Sequence, residues 1–158
     1  EDIDNSSLLS SYVLLSVRGI VSLIIMFSAF LGTLNLYKDS KTGVFKAFSK
    51  VLRHFCKMSE IFSLTILSCI SGLISIYICN LGENFTIECL KLLVYAVICT
   101  VYCYIIYKIV PNPYLFTSLI PVFILGSIIF CPIFMDISEI IPVAKYISWI
   151  FLPKYYFI

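Results

Sequence analysis

The sequence predicts an all-α integral membrane protein with four transmembrane helices. Its composition is 61% hydrophobic and 13% charged, whereas soluble domains are near 45–50% apolar and about 25% charged. The apolar residues fall into long runs, each close to the length of about 20 residues that a helix needs to cross a hydrocarbon core about 30 Å thick. Most of the positive charge lies between the first two runs, in residues 38–57. A basic segment in this place predicts the cytoplasmic side of the membrane.

The first span is predicted at residues 10–36, after a polar and acidic lead-in that we expect outside. At a rise of 1.5 Å per residue this helix is about 40 Å long, so it should tilt or protrude. Arg18 lies in its outer third. A charge at this depth must snorkel to the headgroups, pair inside the bundle or line a substrate pathway, and the sequence leaves these three alternatives open.

The basic segment predicts a short amphipathic helix at residues 43–55, following the turn-forming sequence KDSKTG. Its apolar and polar residues alternate at the spacing of a helix. The apolar members are Phe45, Phe48, Val51, Leu52 and Phe55, and the polar members are Lys46, Ser49, Lys50 and Arg53. The apolar side of such a helix can lie on lipid, pack under the bundle or fit a partner's groove.

The second and third spans are predicted at residues 58–79 and 87–109. The connection between them, residues 80–86, is polar and acidic, so we expect it on the extracytoplasmic side. The third span ends at the sequence VPNPY, whose prolines stop one helix and begin the next. This second short connection is expected on the cytoplasmic side.

The fourth span is predicted at residues 114–134 and contains Pro121 and Pro132. Proline in a membrane helix releases backbone groups that neighbouring helices must satisfy, so both prolines are candidates for the bundle interior or a pathway. Residues 136–156 begin with too much polarity to span and are divided by further prolines. We expect a pair of external interfacial half-helices there, with Trp149, Tyr155 and Tyr156 as interface anchors.

The sequence predicts neither an enzyme nor a cofactor site. It has a single histidine, His54, and no GxxxxGK[ST] segment to bind a nucleotide phosphate. Its seven cysteines form no CxxC pair and are predicted to be small packing residues, not metal ligands. The basic residues follow membrane topology, so no nucleic-acid partner is expected.

Three segments resemble the membrane core of type-2 ABC transporter permeases of the exporter class. Residues 37–50 (YKDSKTGVFKAFSK) resemble the charged turn and Thr/Gly pair that open the family's cytoplasmic coupling helix. Residues 131–142 resemble the end of its fifth helix, and residues 151–157 are similar to the stretch before its final helix. The whole chain, 1–158, would then be a single permease domain containing helices two to five, within a longer protein.

The resemblance implies a permease subunit without its own ATPase site, in the cell membrane. Two permease halves would pair, and each would dock on a separate ATPase subunit that carries ATP and Mg²⁺. The coupling element would comprise Thr42, Phe45, Lys46, Phe48, Lys50, Leu52 and Arg53. Phe45, Phe48 and Leu52 would be the docking anchors, and the three basic residues would orient the contact.

The competing hypothesis is a membrane scaffold or self-protection protein that transports nothing. Its basic amphipathic helix would anchor to anionic lipid. An intramembrane enzyme and a secondary transporter are less favoured, because the spans offer neither facing catalytic groups nor a coupling-ion carboxylate. A requirement for a cognate ATPase discriminates the permease from the scaffold.

Overall fold

The computed structural model describes residues 2–78, 84–131, 133 and 142–157. Within these residues the chain is helical and contains no strand. The α-helices are α1 (Asp2–Thr42), α2 (Lys50–Ile78), α3 (Phe85–Ile109), α4 (Pro113–Phe130) and α5 (Pro142–Ser148), and 3₁₀ helices occupy Val44–Ala47 and Leu152–Tyr156. The first four α-helices are each long and apolar enough to cross a membrane. The predicted all-α fold of a multi-pass membrane protein is therefore confirmed.

Helices α1 and α2 extend further toward each other than the predicted spans, residues 10–36 and 58–79. α1 continues to Thr42 and α2 already begins at Lys50. Gly43 terminates α1. Its φ of 79° lies in the left-handed region, which glycine adopts without steric penalty. The turn formers before Gly43 are thus accommodated in the last turns of α1, and the connection between the two spans is short.

The connection between α3 and α4 is also short. Asn112 precedes α4 and its side chain accepts a hydrogen bond from the backbone N–H of Tyr114, at 3.0 Å. Pro113 occupies the first helical position, where its missing N–H is not needed. α4 ends at Phe130, and the segment 134–141 of the predicted fourth span and half-helices lies outside the described residues.

α1 is the central helix of the bundle. It contacts α2, α3 and α4, and 56% of its most apolar window is buried, against 22–39% for the other spans. Gly32 allows the closest approach, because a Cβ atom at this position would lie 2.9 Å from the Cα of Ile61 in α2. Small residues permit such backbone proximity in membrane bundles.

The bundle has two ends that differ in chemistry. We call one the basic end, where α1 and α3 finish and α2 and α4 begin. At the opposite end, the C-terminal segment returns into the bundle: Leu152 is fully buried, and the ring of Tyr156 packs against Tyr95 with a centroid distance of 5.6 Å. Of the predicted interface anchors, Trp149 is exposed, but the prediction for Tyr156 is wrong because its side chain fills the space between α1 and α3.

Replacing Gly32 by valine should destabilise the bundle, because the added side chain collides with the α2 backbone at Ile61. Overpacking of this kind costs about 1–3 kcal/mol. We expect the purified Gly32→Val protein to unfold in detergent at a temperature several degrees lower. Ser71→Val is the matched control, since Ser71 is exposed on α2. Equal shifts for the two variants would contradict the close approach of α1 to α2.

Candidate functional site

The basic turn, which we define as residues 43–49, joins α1 to α2. Its centre is the 3₁₀ helix Val44–Ala47, closed by hydrogen bonds from Lys46 N to Gly43 O at 2.9 Å and from Phe48 N to Phe45 O at 3.4 Å. Phe48 is extended, with φ −91° and ψ 149°. The prediction of one amphipathic helix over 43–55 is wrong, because Gly43 and Phe48 interrupt the α conformation and residues 50–55 belong to α2.

Arg53 holds the basic turn against the start of α2. Its guanidinium donates to the carbonyl oxygen of Phe48 at 3.2 Å and to that of Lys46 at 3.4 Å. These two carbonyl oxygens accept no hydrogen bond from a backbone N–H within a helix. The arginine therefore satisfies groups that would otherwise need water as a donor. Arg53 therefore has an internal structural role in addition to any contact with a partner.

Phe45 cannot be a docking anchor in this conformation. Its side chain is only 8% exposed and belongs to the main apolar core. The ammonium group of Lys57 lies 5.4 Å from the centre of its ring, an arrangement that favours a cation–π contact. The sequence pattern placed Phe45 correctly on an apolar side, but the 3₁₀ turn directs that residue into the bundle and not toward a partner.

The other predicted anchors do lie on a surface. Phe48 and Leu52 are 37% and 48% exposed, and Val51 and Phe55 beside them are 68% and 67% exposed. Helical spacing brings Val51, Leu52 and Phe55 to one side of the start of α2, and Phe48 lies two residues before that helix. We call these four residues the exposed apolar face. Lys46, Lys50 and Thr42 are exposed around the same turn.

A tyrosine cluster, Tyr37, Tyr104 and Tyr107, joins the helices on either side of the basic turn to α3. The Tyr107 hydroxyl accepts from Lys57 Nζ at 3.0 Å and lies 2.7 Å from Ser40 Oγ. Tyr37 donates to the backbone carbonyl of Val110. These contacts connect α1, α2 and α3 at the basic end, so a displacement of one helix end must move the others.

His54 belongs to the same region. Its Nδ1 lies 2.5 Å from the Tyr104 hydroxyl of α3. The neighbouring Lys108 places its ammonium 5.0 Å from the centre of the Tyr104 ring. The histidine therefore links α2 to α3.

Arg18 pairs inside the bundle with Glu88 of α3. Arg18 Nη2 lies 2.5 Å from Glu88 Oε1, with side-chain exposures of 26% and 7%. Tyr156 donates its hydroxyl to Glu88 Oε2 at 3.3 Å. Among the three alternatives for Arg18, the structure shows the buried pair. Sequence reasoning missed the role of Glu88, since the partners are 70 residues apart.

The Arg18–Glu88–Tyr156 triad is suited to hold helices together. Burial and then the nearby Glu88 carboxylate raise the pKa of Tyr156 above its ordinary value, so its hydroxyl remains a donor. Arginine keeps its charge at any physiological pH. The triad joins α1, α3 and the C-terminal segment through the bonds from Arg18 Nη2 and from the Tyr156 hydroxyl to the two oxygens of Glu88.

Pro121 and Pro132 were both predicted as candidates for the bundle interior or a pathway. Pro121 lies within α4 but its side chain is exposed, so the prediction of a place inside this chain's bundle is wrong. α4 is apolar on all sides, so its sequence does not show which side is buried in the bundle. Pro132 lies outside the described residues. Among the residues that are described, no three potential metal ligands cluster.

Comparisons of the chain with family models, with curated proteins and with solved structures find no match. The functional interpretation therefore depends on the exposed apolar face, on the tyrosine cluster behind it and on the sequence motifs.

Removing one member of the buried Arg18–Glu88 pair should lower the stability of the protein more than removing both members. Arg18→Met leaves the Glu88 carboxylate buried without its cation, and breaking a buried pair costs about 3–5 kcal/mol. We expect a large drop in the thermal midpoint in detergent, and recovery of most of it in the double variant Arg18→Met/Glu88→Leu.

Lys91→Met provides the matched control, because Lys91 is exposed on α3 one turn from Glu88. Its replacement should leave the thermal midpoint nearly unchanged. The pairing would be contradicted if the double variant were as unstable as Arg18→Met, or if the Lys91 control fell by the same amount.

Proposed function

We propose that this chain is the permease subunit of an ATP-driven ABC exporter. A separate ATPase subunit would push on the basic turn, and the motion would reorient the membrane helices around a transported substrate. The observation that supports this most is the exposed apolar face beside Lys46 and Lys50, on a turn that is tied to three helix ends. Apolar anchors with a charged border are typical of a protein docking surface.

The connections of the basic turn suit the transmission of force. Its backbone is closed by short-range hydrogen bonds, and Arg53 ties it to α2. α1 runs without interruption from Asp2 to Thr42, so a displacement at its end tilts the whole helix. The contacts of Tyr107 with Ser40 and Lys57 carry the displacement to α3. Shear between packed helices is a common form of such transitions.

The proposed topology follows the distribution of charge. The basic end would be cytoplasmic, where the ATPase binds ATP and Mg²⁺. Residues 80–86 and 136–156 would then be extracytoplasmic. A second permease copy or half would complete a pathway, and α4 offers a surface for it because only 22% of its most apolar window is buried.

A second candidate function has one observation in its favour. Val44 is 56% exposed beside Lys46 and Lys50, and apolar residues next to lysines also suit an interfacial anchor on anionic lipid. A scaffold or self-protection protein of this kind would need no ATPase. The two proposals therefore differ in whether a nucleotide-hydrolysing partner is bound.

Truncating the exposed apolar face should release the ATPase partner. We expect the full-length protein to co-purify with an ATPase in mild detergent, and Phe48→Ala/Leu52→Ala to lose most of the co-purifying ATP turnover. Leu67→Ala/Ile74→Ala is the matched control, because these residues are similarly exposed on α2, away from the turn. If no ATPase accompanies the native protein in several detergents, the permease proposal fails and the scaffold proposal replaces it.

Reversing charge at the rim of the turn should weaken the same contact. We expect Lys46→Glu/Lys50→Glu to reduce ATPase binding, with a smaller difference from the native protein at high salt, where exposed charges are screened. Arg53 is left intact because it braces the turn. The control Lys91→Glu/Lys145→Glu makes the same change in net charge at the opposite end, and equal losses there would exclude a local electrostatic contact.

A further inference from the structure

Two adjoining cavities open at the basic end, on the side of α1 that faces the connection between α3 and α4. The first has a volume of about 340 Å³ and is lined by Tyr37, Ser40, Lys41, Tyr107, Lys108 and Pro111. The second, of about 290 Å³, shares Tyr37 and Lys41 and adds Lys38, Leu34 and Tyr114 among its lining residues. We call the two cavities together the lysine pocket.

The lysine pocket has a strong excess of positive charge. Lys38, Lys41 and Lys108 line it, and among the described residues none of the three forms an ion pair with a carboxylate. Asp39 is close in sequence, but two residues correspond to about 200° of helix rotation, so it lies on the far side of α1 from Lys41.

The pocket also offers a hydroxyl proton. Ser40 Oγ and Tyr107 Oη are 2.7 Å apart, and either can be the donor of that bond. Lys57 already donates to the Tyr107 oxygen. Whichever hydroxyl donates within the pair, the other keeps a proton that can be directed to an anion in the cavity. Positive charge combined with hydroxyl donors is the chemistry that recognises a phosphate group.

Toward the membrane interior, Leu34 of α1 gives the pocket an apolar wall beside Thr117 of α4. Leu34 lies one helical turn before Lys38 on α1, and Tyr114 of α4 is 82% exposed beside the cavity. Aromatic residues in such positions suit the interface between headgroups and acyl chains. A ligand that fits both regions has a negative head and an apolar tail, which favours a lipid over a small ion.

We infer that the lysine pocket binds the phosphate group of a phospholipid whose headgroup has a net negative charge. Basic pockets between membrane helices are known to suit such headgroups. Free phosphate shares the recognised chemistry and is the other possible source of the anion. The inference concerns residues outside the exposed apolar face, so it holds or fails independently of the proposed docking of an ATPase.

The test is native mass spectrometry of the purified full chain with dioleoyl phosphatidylglycerol or dioleoyl phosphatidylcholine. We expect a preference of about tenfold or more for phosphatidylglycerol, since each lysine near the site adds to the attraction for an anionic lipid. Lys41→Gln/Lys108→Gln should lose this preference. Lys46→Gln/Lys50→Gln removes equal charge from the same end outside the pocket and should keep it.

Three further measurements make the outcome decisive. The single variant Lys38→Gln tests the second cavity without disturbing the contact of Lys108 with Tyr104, and thermal midpoints verify that each variant is folded. Sodium phosphate at millimolar concentration, against chloride at equal ionic strength, identifies the source: displacement of the lipid indicates a site open to free phosphate, and retention indicates the headgroup. Equal binding of the two lipids, or equal losses in the two double variants, would overturn the inference.

Discussion

The rest of the structure depends on the pairing of Arg18 with Glu88. In a hydrocarbon environment a charge must find its partner within the protein, and these two residues meet at 2.5 Å across α1 and α3. The pair fixes how far α1 is displaced along α3, because a shift of one helical turn would separate the charges by about 5.4 Å. It also gives Tyr156 an acceptor, which draws the C-terminal segment into the bundle.

The same constraint explains how the hydroxyl groups of the interior are satisfied. Ser22 donates to Gly19 O at 2.7 Å, Thr33 to Ala29 O at 2.9 Å, and Thr100 to Ala96 O at 2.8 Å. Each of these bonds is made within a helix. Other polar contacts join the helices: the Tyr95 hydroxyl of α3 donates to Ser22 O of α1 at 3.1 Å, and the hydroxyls of Thr65 and Thr100 lie 3.4 Å apart between α2 and α3. With the Arg18–Glu88 pair and the tyrosine cluster, polar contacts between helices therefore occur along the length of the bundle.

The sequence was sufficient for features that depend on local patterns. Run length and charge predicted four membrane helices, and Pro113 marks the start of α4. The sequence did not predict that the helix is interrupted at Phe48. The spacing of apolar residues there is compatible both with one continuous helix and with a turn followed by α2. Phe45 is buried in the main apolar core, and Glu88 is buried against Arg18, 70 residues away. Contacts between residues this far apart cannot be predicted from a local sequence pattern.

The basic end brings together two surfaces with different chemistry. The exposed apolar face presents Phe48 and Leu52 at the start of α2, whereas the lysine pocket lies between α1, α3 and the start of α4. A partner on the face and a lipid in the pocket would therefore not compete for side chains. Both contact elements joined by the tyrosine cluster, so each can bias the same tilt of α1. Where two ligands favour the same state of one element, each must strengthen the binding of the other by an equal factor, and a lipid held at Lys41 would then assist a partner that docks at Phe48.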